Sequence, residues 1–212
     1  MYKYIVFLGP PGSGKGTQAK KIAQKLGYFY FGTGDLMREE ADNGTEMGKV
    51  FEETWKKGEL VEDHLVIEFV NNKLKKIKQE NIVFDGFPRS SEQVQYFKNH
   101  FDLNDVLAVN LEVPVEDLIK RLSIRLVCEK CDRIYKENNV QEKEVCPACN
   151  GHLIERDDDK PEILHERINV YREETKPLID FFHKNGHILD IDGTFSIEEV
   201  EKNIWEKINA YK

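Results

Sequence analysis

The sequence predicts an α/β protein whose parallel β-sheet is covered by helices on both faces. Short apolar runs alternate along the chain with segments of helical spacing. The runs are apolar throughout, which is typical of strands that are buried on both faces. A glycine-rich loop joins the first run to the first helix, and one charged, cysteine-bearing segment interrupts the alternation. The expected architecture is therefore a doubly covered sheet with a separate small unit inserted into it.

Each predicted element follows from a local pattern. The first strand is the run Ile5 to Leu8, which glycine ends, and the first helix places Ala19, Ile22 and Ala23 on one face. The strands are predicted at residues 4–8, 28–31, 81–84, 106–111 and 187–191. The helices are predicted at residues 15–26, 35–41, 62–78, 90–99, 115–126, 161–184 and 197–211.

The composition excludes several classes of protein. The 212 residues are 40% hydrophobic and 33% charged, as in globular proteins and unlike collagen-like or disordered chains. Thirty-one basic and 39 acidic residues give a net charge of -8, which disfavours general nucleic-acid binding. No apolar run approaches the roughly 18 residues of a membrane span, and the N-terminal run is too short for a signal peptide. We therefore expect a cytoplasmic protein with no nucleic-acid or membrane partner.

The four cysteines form two C-x2-C pairs, Cys128 with Cys131 and Cys146 with Cys149. The surrounding segment, residues 128–159, has too few large apolar residues to bury a core of its own. Two such pairs supply four thiolates for a tetrahedral Zn²⁺ ion. The alternatives are four unrelated buried cysteines or a redox pair, but neither pair follows a strand at the head of a core helix. We predict a closed, structural zinc site.

A phosphate-binding loop is predicted between the first strand and the first helix. The segment from Gly9 to Thr17 reads GPPGSGKGT, and its glycines allow backbone N–H groups to point toward phosphate oxygens. The helix N-terminus adds partial positive charge, and Lys15 adds a full one. Gly16 stands where the strict pattern has Ser or Thr. The alternative is a glycine-rich turn that binds nothing.

Charged residues near the predicted element ends complete the candidate site. Arginine binds phosphate with two parallel hydrogen bonds, and lysines far outnumber arginines in this chain. Singly these arginines could form surface ion pairs, but together they suggest a cage for more than one polyphosphate group. They are Arg38, Arg89, Arg121, Arg125, Arg156 and Arg167. Asp85 ends a strand beside the loop and is a candidate for ordering Mg²⁺ through water, or else a turn residue.

Taken together, these motifs resemble those of the adenylate kinases in their long, zinc-bearing form, over essentially the whole chain. The segments that carry the resemblance are residues 9–18, 33–38, 58–61, 85–89 with Gln93, 121–125, the two cysteine pairs, 156–159 and Arg167. The resemblance implies a P-loop NTPase-type core of five parallel strands, made of residues 1–31, 62–123 and 162–212. It further implies a monophosphate-binding insert, residues 32–61, and a zinc-binding lid, residues 124–161.

The resemblance also assigns roles to individual residues. For ATP binding it implies Gly12, Ser13, Gly14, Lys15, Gly16, Thr17, Arg121, Arg125, Ile134, Tyr135 and, through its backbone, Phe195. For AMP binding it implies Thr33, Arg38, Glu59, Leu60, Val61, Gly86, Phe87, Pro88, Arg89, Gln93, Arg156 and Arg167. For catalysis it implies Lys15, Arg89, Arg125, Arg156 and Arg167. Asp85 is assigned to Mg²⁺ through water, and Asp158 and Asp159 to lid closure.

The implied reaction is reversible phosphoryl transfer, in which ATP and AMP give two ADP in a monomeric enzyme that needs Mg²⁺ with ATP. We expect positioning and charge neutralisation without a covalent intermediate. Ile124, where the family usually has glycine at the lid hinge, is expected to alter opening rates at most. Alternatives are a UMP or CMP kinase, against which Thr33 argues, a zinc-ribbon nucleic-acid-binding protein and a silent nucleotide sensor.

Overall fold

The computed structural model describes residues 2–131, 133–136, 140, 144–185 and 187–210. The strands are β1 Tyr4–Leu8, β2 Phe29–Gly32, β3 Ile82–Asp85, β4 Val106–Glu112, β5 Arg125–Cys128, β6 Ile134–Lys136, β7 Leu153–Ile154 and β8 Ile188–Asp192. The helices are α1 Lys15–Leu26, α2 Thr33–Asp42, α3 Glu46–Trp55, α4 Asp63–Leu74, α5 Ser91–His100, α6 Val115–Ser123, α7 Pro161–Val170, α8 Lys176–Lys184 and α9 Ile197–Ala210.

Five strands form one parallel sheet in the order β2-β3-β1-β4-β8, which confirms the predicted fold class. The chain runs from β1 to β2 and β3 on one side, and then crosses to β4 and β8 on the other. Such a reversal opens a crevice at the carboxyl ends of the strands, where ligands bind in open α/β sheets. The loops after β1, β2, β3, β4 and β8 therefore all reach the same edge of the sheet.

Two apolar clusters cover the two faces of this sheet. On one face, residues of β1 and β3 pack with helices α2 to α5 and α8, around Phe31, Phe84 and Phe97. On the other face, Ile5 and Phe7 pack with Ile22 of α1 and residues of α9. Side chains alternate between the faces of a strand, so apolar residues at every position are needed to fill both layers. The continuous apolar runs in the sequence have this origin.

A second, antiparallel sheet of β6-β5-β7 holds the cysteines. The buried residues among the described part of this unit are few, namely Leu126, Val127, Cys128, Cys146 and Leu153. The described part of the unit therefore lacks a large apolar core, as the charged composition of the segment predicts.

Several elements differ from the prediction. The predicted helix at 115–126 ends at Ser123, and Arg125 begins β5. The predicted helix at 161–184 is divided by a π-helical turn, Tyr171–Thr175, just before Pro177. Proline lacks an N–H and its ring clashes with the carbonyl four residues earlier, which accounts for the break. Helix α3 was not predicted.

In the part of the chain that the structure describes, no helix combines the length and apolar character that crossing a membrane requires.

Phe84→Ala is expected to lower the free energy of unfolding by about 3–5 kcal/mol, because it removes a fully buried ring and leaves a cavity. Phe84 lies among the rings of Phe31, Phe97 and Phe101, at centroid distances of 5.5, 5.3 and 5.3 Å. Chemical denaturation measures the change. The control is Phe195→Ala, whose side chain is 52% exposed and should change stability by about 0.5 kcal/mol or less. Similar losses in the two variants would contradict the packing described above.

Candidate active site

The loop between β1 and α1 is shaped to receive an anion. Gly9, Gly12 and Gly14 have φ of +134°, +81° and +96°, in the region that favours glycine. A Cβ on Gly12 would lie 2.8 Å from Cγ of Leu122 in α6, so the loop also packs too closely for a side chain there. Helix α1 has no side-chain cap at its N-terminus and no acidic residue in its first turn. Its first N–H groups and its dipole therefore face the loop without a competing acidic side chain from the helix itself.

Lys15 lies folded over this loop. Its Nζ donates hydrogen bonds to the carbonyl oxygens of Gly9, at 2.6 Å, and Pro10, at 2.8 Å. Burial lowers the pKa of Lys15 to about 7, the Asp85 carboxylate opposes this shift, and nearby arginines add to it. A cation held under these conditions gains a large stabilisation when a phosphate approaches.

Asp85 ends β3 next to the start of α1. Its Oδ2 accepts a hydrogen bond from the hydroxyl of Tyr30, at 3.0 Å. A Cβ on residue 16 would lie 2.9 Å from the same oxygen. The departure at Gly16 from the strict loop pattern is therefore explained by the close approach of the carboxylate that we predicted to order Mg²⁺.

Arg125 and Arg167 converge on two carboxylates from the short turn Asp157–Asp159. Arg125 binds Asp159 with two hydrogen bonds, of 2.6 and 2.5 Å, and Nη1 of Arg167 donates to Oδ1 of Asp159 at 2.8 Å. Arg167 also lies 3.1 Å from Oδ2 of Asp158. These contacts join β5, the turn and α7, so the turn carries the carboxylates into the arginine cluster.

Arg89 and Arg156 lie in the same cluster with less compensation. Burial lowers the pKa of Arg156 to about 9, and the neighbouring arginines Arg38 and Arg125 add to the shift. Burial also lowers the pKa of Arg89, whereas Asp85 opposes the change. Nε of Arg156 and Oγ1 of Thr33 are buried and have no hydrogen-bond partner among the described residues. Such unsatisfied polar atoms indicate a site that a polar ligand completes.

Most residues assigned to the monophosphate stand in α2, in the segment after α3 and in the loop after β3. Nη2 of Arg38 donates to Oδ1 of Asp35 at 2.5 Å, and its guanidinium lies 5.9 Å from the ring centroid of Trp55. Val61 and Phe87 are buried, Leu60 is half-buried and Glu59 is exposed. Gly86 has a φ of +79°, and the Phe87–Pro88 peptide bond is cis.

The side-chain amide of Gln93 is already engaged at both ends. Oε1 accepts a hydrogen bond from the backbone N–H of Arg89 at 2.9 Å, and Nε2 donates to Asp63 at 2.7 Å. The structure therefore places Gln93 where it holds the backbone of Arg89.

Arg121 lies between the phosphate loop and the loop after β8. It donates to the carbonyl oxygens of Gly193, at 2.8 Å, and Ser13, at 3.5 Å, and so joins the loop after β8 to the phosphate loop. The side chains of Ile134 and Phe195 are 43% and 52% exposed, although both are large and apolar. Exposed apolar side chains are available to contact a nucleoside base.

The four cysteines come together as predicted. Their Sγ atoms all lie within 4.8 Å of one another, and the cysteines are free of disulfides. Four ligands at the Zn–S distance of about 2.3 Å are roughly 3.8 Å apart around a tetrahedron, so the donor set fits zinc. The hydroxyl of Tyr135 lies 3.3 Å from Sγ of Cys146. Ile134 and Tyr135 stand in β6, so the strand assigned to the nucleoside adjoins this cluster.

Two residues of the site were missed by the sequence analysis. Tyr30 and Asp35 form hydrogen bonds with each other and with residues of the site. The position of Asp35 in the first turn of α2, after the Thr33-Gly34 pair, was a usable signal. For Tyr30 the sequence gave no signal of a role in the site, because its aromatic ring indicates only that the residue favours a strand.

The fold and the site define a P-loop phosphotransferase with two nucleotide subsites. The family model described as adenylate kinase matches residues 7–187. An adenylate kinase of Archaeoglobus fulgidus is 41% identical over 212 residues, which cover 97% of this chain and 96% of that protein. An adenylate kinase of Petrotoga mobilis is 36% identical, over 98% of this chain and 98% of that protein. An adenylate kinase of Borrelia turicatae is 39% identical, over 98% of this chain and 99% of that protein. The chain belongs to the adenylate kinase family.

Replacing Lys15 by Met is expected to raise the melting temperature of the nucleotide-free protein at pH 6, because a buried ammonium is removed. The gain should shrink as pH rises toward 9. Lys15 has a pKa of about 7 when folded and an ordinary value of 10.5, so the unfolded chain binds more protons between these values. The wild-type protein therefore becomes more stable as the pH rises and Lys15 loses its proton. The variant lacks this group, so its stability does not rise for this reason. Thermal melts of both proteins at pH 6 and 9 measure the gap, and an unchanged gap would contradict the burial of Lys15.

Proposed function

We propose that the cleft around the phosphate loop is where this chain carries out the reaction of its family, in which ATP and AMP give two ADP. The observation that carries the proposal is the excess of partly buried cations over carboxylates. Lys15, Arg89, Arg125, Arg156 and Arg167 influence one another electrostatically, and the carboxylates that mainly act on them among the described residues are Asp85, Asp158 and Asp159. Two polyphosphate-bearing ligands supply the missing negative charge.

The donor subsite is the phosphate loop and its surroundings. Backbone N–H groups of residues 12–17 and the ammonium of Lys15 bind the phosphates of ATP. Arg121, the exposed side chain of Ile134 and the backbone of Phe195 border the nucleoside. Asp85 would hold the water molecules of a Mg²⁺ ion bound with ATP, and that ion would neutralise charge on the phosphates.

The acceptor subsite lies on the side of α2, α3 and the loop after β3. Arg38 and Arg89 bind the AMP phosphate. Thr33 binds AMP through its side-chain hydroxyl, which has no hydrogen-bond partner among the described residues. Trp55 and Val61 border the base. Residues 32–61 and 124–161 close over the two nucleotides as inserts, and this closure excludes water that would otherwise hydrolyse ATP.

Transfer needs no general base. The AMP phosphate is already an oxyanion at neutral pH, and one of its oxygens attacks the terminal phosphorus of ATP. The bond from that phosphorus to the bridging oxygen breaks, and ADP leaves with the electron pair. Arg125, Arg156 and Arg167 stabilise the charge on the transferred group, so no covalent enzyme intermediate forms.

Zinc is proposed as the ion held by the four cysteines. Four protein ligands leave no open position, so the ion supplies folding energy and does no chemistry. Its support is the clustering of the thiols in a unit with few buried apolar residues. A monomeric, cytoplasmic enzyme remains a prediction.

The proposed reaction is tested by a coupled assay of ADP formation from Mg-ATP, with AMP, CMP, UMP and GMP as separate acceptors. Turnover with AMP alone is expected. Turnover with CMP or UMP instead would contradict the assignment of Thr33 and favour a pyrimidine nucleotide kinase. A chain without turnover that binds RNA or DNA at low salt would support the zinc-ribbon alternative.

Arg167→Met is expected to lower kcat by about 10²–10³-fold, because it removes a donor to the transferred phosphoryl group. The matched control is Arg172→Met, which changes an exposed arginine in the following turn. The control should keep wild-type kcat. Steady-state assays at saturating ATP and AMP compare the two variants, and equal kcat values would refute the role of Arg167.

Removal of zinc is expected to lower the melting temperature, since the small sheet loses the ligand that replaces a core. The measurement is a thermal melt before and after treatment with a zinc-selective chelator, with zinc content determined and Mg²⁺ kept in excess. Cys146→Ser should lower the melting temperature without chelator and respond less to it. Unchanged melting after verified metal loss would contradict the structural role.

A further inference from the structure

The hydroxyl of Tyr30 lies between two carboxylates of the site. It is 3.1 Å from Oδ2 of Asp35 and 3.0 Å from Oδ2 of Asp85. A phenol carries one proton, so it donates to one carboxylate at a time. Burial, together with the negative charges of Asp85 and Asp35, raises the pKa of Tyr30 far above its ordinary value. The hydroxyl is therefore a permanent donor between two like charges.

The strand around Tyr30 is built to hold the ring in this place. Tyr30 and Gly32 are two residues apart in β2, so they face the same side of the strand. A Cβ on Gly32 would lie 2.6 Å from ring atoms Cε1 and Cζ of Tyr30. Gly32 pairs with Asp85 in the register of β2 and β3, and this directs the ring toward the end of β3.

The two carboxylates belong to different halves of the site. Asp35 accepts a hydrogen bond from Arg38, at 2.5 Å, and forms an ion pair with Lys20, at 2.8 Å. Arg38 and Lys20 hold the pKa of Asp35 at about 2 although burial alone would raise it. Asp85 instead faces the start of α1 beside Gly16. Tyr30 thus connects an arginine of the acceptor subsite to the carboxylate of the donor subsite.

We propose that Tyr30 is a positioning residue that fixes the orientation of Asp85 toward the water molecules of Mg-ATP and that of Asp35 toward Arg38. The inference rests on the proposed function, because it assigns Asp85 to Mg²⁺ and Arg38 to AMP. Without the hydroxyl, Asp85 would lose the hydrogen bond that holds its Oδ2, and Asp35 would keep only its contacts with Arg38 and Lys20.

The test compares Tyr30→Phe with Tyr28→Phe. The hydroxyl of Tyr28 donates to the backbone oxygen of Tyr2 at 2.9 Å, so the control also loses one hydrogen bond just before the same strand. Calorimetry gives the affinity for ATP with and without Mg²⁺, and separately for AMP alone, so no turnover is needed. Melting temperatures show that both variants are folded.

In Y30F we expect the gain in ATP affinity that Mg²⁺ provides to fall by about tenfold, the lower end of the effect of losing a hydrogen bond to a charged group. Affinity for AMP should fall in the same variant. Y28F should keep wild-type values for both. Gly32→Ala, which would displace the ring without removing the hydroxyl, should reproduce the losses.

Wild-type values in Y30F for both the Mg²⁺ effect and AMP affinity would overturn the proposal. Equal losses in Y30F and Y28F would also overturn it, because they would show a general structural effect. The ADP assay on the wild-type protein separates this result from the proposed function. A wild-type chain that binds both nucleotides without making ADP would refute the function, and the binding data would still decide the role of Tyr30.

Discussion

The surplus of partly buried positive charge at one edge of the sheet is the constraint on which the site depends. Lys15 and Arg156 are held where burial lowers the pKa of both groups, to about 7 and about 9. Keeping cations away from water is costly, and the phosphates of the ligands offset this cost. The two apolar layers around β1 stabilise the frame that holds these groups together. The folded protein is therefore preorganised to bind polyphosphate. Without the ligand, the cost of keeping these cations away from water is not offset.

The charged groups of the site stand on separate elements of the fold. The carboxyl edge of the parallel sheet carries Asp85 at the end of β3 and Lys15 at the start of α1, whereas the small antiparallel sheet and the turn that follows it carry Arg125, Asp158 and Asp159. The hydrogen bonds of Arg125 and Arg167 to Asp159 join β5, this turn and α7. Charges on several elements can approach one another only when those elements come together, so ligand binding and closure are expected to be coupled.

Most of the fold could be predicted from the sequence because its signals are local. Continuous apolar runs define β1, β3 and β4, and the glycine pattern with Lys15 defines the phosphate loop. Helix 115–126 was predicted too long, because Leu126 suits either an amphipathic helix or the strand β5 in which it lies. The contact of Tyr30 with Asp85 could not be predicted, since it depends on the register in which Gly32 pairs with Asp85. The clustering of the four thiols was predictable from spacing alone.

Polyphosphate binding is expected to restore the positive charge of Lys15. Calorimetric titration of ATP in buffers of different ionisation enthalpy measures the protons exchanged on binding. With a pKa of about 7, Lys15 is mostly neutral at pH 8, so binding should take up protons at pH 8 and fewer at pH 6. The Lys15→Met variant supplies the baseline without this group. Identical proton exchange in the wild-type and variant proteins at pH 8 would contradict the account.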